Sequence, residues 1–248
     1  MEPLIIILFC LISGLVGSAL GFGGAMILAP ACFWVLPPAE AVMTLLLLSN
    51  LTNLLVVTER RQKHFDKPEI VKLLLSTLPG IMVGIVLLQK LDPAIAIILA
   101  GFTILLGVGL KLLAGRLSLT MPSWPVYPVG LSCGILAATT GLATLAPAWL
   151  LLRRLPPNSM RDTLQLYYLI VGVLVFILGV SILGVSASLP PTLVLAGGAL
   201  AIVSGYWAGK HIFEKLQSRQ ATYQRVALAS LFLVGAACVA RGTLELLS

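Results

Sequence analysis

The chain of 248 residues is 59% apolar and only 10% charged, with a mean hydropathy of +1.06, whereas a water-soluble domain carries about 25% charged and about 45–50% apolar residues. That contrast excludes an ordinary soluble domain and points to a polytopic helical membrane protein. The formal charge of +7 does not argue for nucleic acid, because basic residues confined to short connections between membrane helices are explained by orientation across a bilayer.

Polar or proline-containing boundaries mark eight apolar segments, at about 4–36, 39–58, 70–89, 93–114, 126–152, 162–184, 190–209 and 222–247, each close to the roughly 20 residues that cross a hydrocarbon core as a helix. The first begins in MEPLIIILFC, which lacks the basic n-region of a secretory signal and is read as part of the mature membrane domain. It is interrupted at Gly21-Phe22-Gly23-Gly24 and followed by Pro30, so a broken helix is expected. The second carries Ser49, Asn50, Thr52 and Asn53 within a leucine-rich run. Asn50 and Asn53 share a helix face, and buried amides in lipid act either as interhelical glue or as substrate donors. The third holds Gly80 and Gly84.

The fifth segment is interrupted at Ala138-Thr139-Thr140-Gly141 and followed by Pro147, again the mark of a broken helix. Thr139 and Thr140 either hydrogen-bond back to their own helix or face a substrate at the break. Gly130-Leu131-Ser132-Cys133-Gly134 formally matches the nucleophile elbow G-x-S-x-G, but it lies inside an apolar helix without a histidine base in reach. In the sixth segment Arg161, Gln165 and Tyr168 form one helical stripe, with Arg161 an interfacial anchor. The seventh contains Gly205 and Gly209.

Two further absences bound the chemistry. The cysteines Cys10, Cys32, Cys133 and Cys238 lie in apolar segments with no CxxC spacing, and His64 and His211 are isolated, so neither a metal site, a cofactor nor a disulfide framework is expected. Acidic residues sit at segment ends, at Glu40, Asp92, Asp162 and Glu245, so no carboxylate proton relay is visible.

The sequence also repeats itself. Leu28-Ala29-Pro30-Ala31 recurs as Leu145-Ala146-Pro147-Ala148, Leu36-Pro37-Pro38 is answered by Leu155-Pro156-Pro157, and the Gly80/Gly84 pair by Gly205/Gly209. The halves are residues 1–120 and 121–248. Eight serial crossings would place eight Lys and Arg residues on each side, against the positive-inside rule. A re-entrant hairpin in the fifth segment instead gives fourteen against Lys90 and Arg241 alone. Residues 1–40 contain no Lys or Arg, so a hairpin form for the first segment rests on the repeat. The expected fold is an all-α membrane protein of two inverted repeats, each a re-entrant hairpin plus three crossing helices, with both termini outside.

Helix breaks leave backbone groups unpaired, which hydrocarbon forbids unless they face protein, water or a ligand. Half-helix N-termini present N–H donors and partial positive charge, which suits an anion. The glycine break with its following proline, the degenerate copy ending at Pro147 and the two small-residue helices resemble the sulfite exporter TauE/SafE family across nearly the whole chain. That resemblance implies a bacterial or archaeal inner-membrane permease for sulfite, sulfonates or other small anions. The second copy departs from the pattern, with Thr139-Thr140-Gly141 where a glycine-richer loop is usual. The candidate substrate-binding residues are Gly21, Phe22, Gly23, Gly24, Ser49, Asn50, Asn53, Thr139, Thr140, Gly141, Gln165 and Tyr168. Pro30, Pro147, Gly80, Gly84, Gly205 and Gly209 are assigned structural roles. A small carboxylate would satisfy the same donors, and an intramembrane enzyme using Ser132 or a membrane-complex assembly subunit are the alternatives from other classes.

Overall fold

The computed structural model describes residues 2–20, 23–59, 65–114, 126–153, 157–183, 192–216 and 220–247. Among them run ten helices and no strand: α1 (Glu2–Leu20), α2 (Gly24–Val35), α3 (Pro38–Glu59), α4 (Lys67–Lys90), α5 (Pro93–Ala114), α6 (Val126–Thr140), α7 (Leu145–Leu152), α8 (Pro157–Leu183), α9 (Thr192–Leu216) and α10 (Gln220–Leu247). By length and composition Pro38–Glu59, Lys67–Lys90 and Asp162–Ile182 suffice to cross a membrane, and shorter apolar stretches lie in α1, α2, α5 and α6.

Polarity is distributed inside out. Leu75, Leu78, Met82, Val83, Val86 and Leu87 form an exposed apolar flank of α4, while Ser49, Thr52, Ser76, Thr77, Thr103, Thr144 and Gln165 are buried. A helix with such a flank is stable against lipid and not against water. The protein is accordingly an all-α, multi-pass membrane protein.

The first and fifth segments each fold into a hairpin of two helices. Gly24 at the start of α2 lies against Ser13 and Gly17 of α1, and farther on the rings of Phe9 and Trp34 meet edge to face at 6.4 Å between centroids. α2 therefore runs back along α1. In the second hairpin the Ser76 hydroxyl of α4 donates to the Val126 carbonyl at the start of α6 (3.3 Å). Arg153, just past α7, comes within 3.6 Å of Glu69 in the first turn of the same α4. Entry and exit of the hairpin thus lie at one end of the molecule. At about 1.5 Å per residue α6 and α7 span roughly 22 Å and 12 Å, short of a hydrocarbon core of about 30 Å.

Each hairpin is carried by a helix of the other half of the chain, α1 lying along α9 and α6 along α4. Glycine makes both contacts close enough: a Cβ at Gly80 would run into the Leu131 carbonyl, one at Gly84 would meet the Ala138 Cβ at 2.7 Å, and Gly205 and Gly209 stand likewise against Leu11 and Leu15. Gly130 and Gly134, the outer residues of the G-x-S-x-G match, press against Ser76 and against Thr77 and Ile81. Their place is helix packing. α3 pairs with α8 and α5 with α10.

Three boundaries differ from those expected. The second break shares only Gly141 with the expected Thr139-Thr140-Gly141: α6 continues through Thr140, and the non-helical residues are Gly141–Thr144. Threonine hydroxyls bonded to carbonyls four residues earlier are compatible with an unbroken helix, so polarity alone did not end it. α8 starts at Pro157 and α9 runs to Leu216, because charged turns at an interface extend a helix beyond its apolar part.

The charged residues gather at the end where α3 and α9 finish and α4 and α8 start. Lys210 pairs with Glu59, which also accepts from the Tyr206 hydroxyl. The Asp66 N–H donates to the Thr163 hydroxyl (3.1 Å), and Asp66 caps α4 by accepting from the Glu69 N–H (3.2 Å). Glu69, 4% exposed, accepts from the Trp149 indole at 2.7 Å. At the opposite end Arg241 lies over the Trp34 ring at 5.4 Å. The four cysteines are buried thiols.

Candidate functional site

The two breaks face one another, and each is built on a left-handed glycine. Gly23 has φ 89°, a conformation that side chains resist. It precedes α2 as a cap without a side-chain hydrogen bond, so the first N–H groups of α2, from Gly24, Ala25 and Met26, have no partner within the helix. Gly141, with φ 71°, plays the opposite part. Its N–H donates to the Ala137 carbonyl at 2.9 Å and closes α6, after which Leu142, Ala143 and Thr144 lead without helical structure into α7.

Between the breaks lies a cavity of about 70 Å³, room for several waters or one small anion. Gly23, Gly24, Ala25 and Met26 form one wall and Gly141, Leu142, Ala143 and Thr144 another. α3 contributes Ser49, Asn50, Thr52 and Asn53, and α8 contributes Gln165 and Tyr168. Among the described residues no Asp, Glu, Lys, Arg or His lines it. Its polarity is that of amides, hydroxyls and backbone.

Packing holds these groups in place. The Asn53 amide donates to the Asn50 carbonyl oxygen at 3.2 Å, one turn of α3 apart, and Gly172 of α8 makes the space into which the Asn50 amide fits. Ser49 donates weakly to the Leu46 carbonyl at 3.4 Å. The Thr52 methyl lies against Gly17, and the Met26 and Thr144 side chains both lie against Gly107. Thr52 and Thr144 are 5% and 2% exposed, and neither Oγ1 has a hydrogen-bond partner among the described residues.

Of the candidate residues, the cavity brings together Gly23, Gly24, Ser49, Asn50, Asn53, Gly141, Gln165 and Tyr168. Thr139 and Thr140 do not line it. Their hydroxyls donate to the Ile135 carbonyl (2.8 Å) and the Leu136 carbonyl (2.7 Å), and both side chains are buried in α6. Gly21 and Phe22 lie outside the described residues. Sequence reasoning passed over Thr144 and Ser13 and named Thr52 without putting it forward. The spacing Ser49, Thr52, Asn53 is a helical stripe that held that signal, whereas Thr144, alone in an apolar run, offered none. Gly80, Gly84, Gly205 and Gly209 stand at helix contacts away from the cavity, as do the buried Pro30 of α2 and Pro147 of α7. No group of three His, Cys, Asp or Glu side chains converges among the described residues.

The sequence profile of the family described as sulfite exporter TauE/SafE matches residues 6–238, which takes in all but the first residues of the two hairpins and every cavity-lining residue. No curated protein and no solved structure gives a match.

Proposed function

The chain belongs to the sulfite exporter TauE/SafE family, a family of membrane transporters for sulfite and related anions, and from that premise we propose that it carries sulfite or a small organosulfonate by alternating access at the cavity between α2 and α7. The observation that carries this reading is the chemistry of the lining. An oxyanion offers several acceptor oxygens and no donor, so its site needs N–H and O–H groups and no carboxylate. The uncapped start of α2, the Thr52 and Thr144 hydroxyls and the amides of Asn50, Asn53 and Gln165 meet that need.

We further propose that residues 1–120 and 121–248 are inverted repeats, with both termini outside and the basic connections in the cytoplasm of a bacterial or archaeal cell. Support comes from the exchanged packing of α1 on α9 and α6 on α4, and from the position of Lys67, Lys72, Arg153 and Lys210 at the end opposite Arg241. In an inverted pair one hairpin is reached from each side. Loosening α2 while α7 stays closed, and the reverse, then exposes the same cavity alternately.

Thermal stabilisation of the purified protein by a panel of sulfite, sulfonates, sulfate, carboxylates and cations tests the site, together with flux into proteoliposomes. Anions are expected to stabilise the wild type, and Gly24→Leu to abolish the effect. Stabilisation by cations only, or anion stabilisation undiminished in Gly24→Leu, sinks the site. Accessibility labelling of single cysteines placed at Arg61 and Arg219 tests the orientation, and reaction from opposite sides sinks the inverted-repeat reading.

A further inference from the structure

We infer that the cavity selects for a single negative charge, taking hydrogen sulfite or a sulfonate in preference to divalent sulfite or sulfate; the inference rests on the oxyanion reading above and adds the charge state of the ligand. The first observation is what the lining has to set against an anion. It holds no cationic side chain among the described residues, so compensation comes from the N-termini of α2 and α7, each equivalent to roughly half an elementary charge. Together they match about one negative charge. The cost of stripping water from an ion rises with the square of its charge, so a dianion is about four times as costly to desolvate, while its attraction to the same fixed dipoles only doubles.

The second observation is independent of the helix ends. The Thr52 and Thr144 hydroxyls are nearly wholly buried, without a partner among the described residues, and in the wall of this cavity. A buried hydroxyl without a partner is destabilising, and a ligand oxygen placed between the two breaks restores its hydrogen bond. Each hydroxyl donates once. Two such single donors, beside the N–H groups of α2 and the lining amides, are all neutral hydrogen-bond donors, which suit one charge spread over the oxygens of a sulfonate group and leave the second charge of a dianion uncompensated. Met26, Leu46, Leu142 and Val171 make part of the wall apolar, a fit for the side of the ligand that carries no charged oxygen.

Hydrogen sulfite loses its proton near neutral pH, while methanesulfonate stays singly charged and sulfate doubly charged throughout. Affinities of the purified full chain for these three ions, measured at about pH 6 and about pH 8, therefore separate ligand charge from protein titration. Tyr168 is the one titratable side chain of the lining among the described residues, and the methanesulfonate arm reads out any titration of the protein over this interval. Methanesulfonate affinity is expected to be flat, sulfite affinity to fall about tenfold as its singly charged form is depleted, and sulfate to bind at least about a hundredfold more weakly than methanesulfonate. Thr144→Val is expected to weaken methanesulfonate about tenfold or more, with Thr144→Ser restoring it. Sulfate binding as tightly as methanesulfonate, or sulfite binding more tightly at the higher pH, overturns the charge selection and leaves the oxyanion site standing. Parallel weakening of sulfite and methanesulfonate overturns it too, by assigning the pH effect to the protein. Binding of no anion at either pH overturns this inference and the transport site together.

Discussion

The two hairpins share the segment Leu-Ala-Pro-Ala and use it differently. In α2 it forms the second turn, with Pro30 in the helix interior; in α7 it opens the helix, with Pro147 third. The cause lies in the residues just upstream. Gly24-Ala25-Met26-Ile27 winds into an extra turn because the left-handed residue, Gly23, stands before it, whereas Gly141 in the aligned position of Gly24 is itself left-handed and belongs to the end of α6. One break therefore offers a helix start with three backbone donors, and the other offers a loop and the Thr144 hydroxyl ahead of the shorter helix α7. Sequence symmetry constrains the architecture of such a pair more tightly than it constrains which atoms face a ligand.

The first hairpin depends on close backbone approach, and substitution there has the largest expected effect. A Cβ at Gly24 would stand 2.7 Å from the Ser13 carbonyl oxygen and 3.1 Å from the Gly17 Cα. Backbone on both sides cannot yield, so Gly24→Leu pushes α2 off α1. With overpacking costing about 1–3 kcal/mol and the donors displaced as well, anion flux into proteoliposomes should fall by at least about tenfold. The second hairpin depends on a dihedral angle. Gly141→Ala puts an L side chain at φ 71°, at roughly 1–2 kcal/mol, and its Cβ would meet the Leu45 Cδ2 at 2.5 Å. Adding Leu45→Ala removes the collision but not the strain, so the double variant should regain only part of the lost thermal stability. Full recovery would show that sterics alone make Gly141 necessary.

The far ends of the hairpins differ as well. Trp149 of α7 is buried, its indole N–H donates to Glu69 at 2.7 Å, and Arg153 adds its charge to the same carboxylate. Trp34 of α2 has no hydrogen-bond partner for its indole nitrogen among the described residues and lies against the Phe9 ring and the Arg241 guanidinium. Trp149→Phe removes a hydrogen bond to a buried charge, about 1.5–3 kcal/mol, and should lower the midpoint of thermal inactivation by several degrees. Trp34→Phe keeps a ring for Arg241 and should cost under about 1 kcal/mol. Equal losses in the two variants would mean that the ends are held alike.

Much of this asymmetry was out of reach of the sequence, for identifiable reasons. Gly23 and Gly24 announced the first break because clustered glycine ahead of a proline has no use in an unbroken membrane helix. Asn50, Asn53, Gln165 and Tyr168 were legible because polar side chains in lipid must find protein or water. The start of the second break was placed too early because Thr139 and Thr140 look like an interruption on a polarity scale, whereas their hydroxyls bond to the preceding turn and leave α6 intact. Thr144 was hidden by the opposite error, a single hydroxyl in the apolar run Leu142-Ala143-Thr144-Leu145, where nothing in the one-dimensional pattern says that the chain is not helical.

Thr140 is the sharpest control for that distinction and carries the smallest expected effect. It lies one residue from the left-handed Gly141 and is wholly buried, so proximity to the break gives it the same claim on a substrate as Thr144. Its hydroxyl, however, donates to the Leu136 carbonyl at 2.7 Å, and that carbonyl already accepts within the helix. Replacing the hydroxyl by a methyl of similar size in Thr140→Val removes a redundant bond and leaves the cavity wall unchanged. Anion affinity should move by less than about twofold, and thermal stability by under about 1 kcal/mol. If Thr140→Val instead weakens the anion as strongly as Thr144→Val does, the hydroxyl turns from its own helix to the ligand during transport. The two breaks would then present threonine and glycine donors in a cavity shaped differently from the one described.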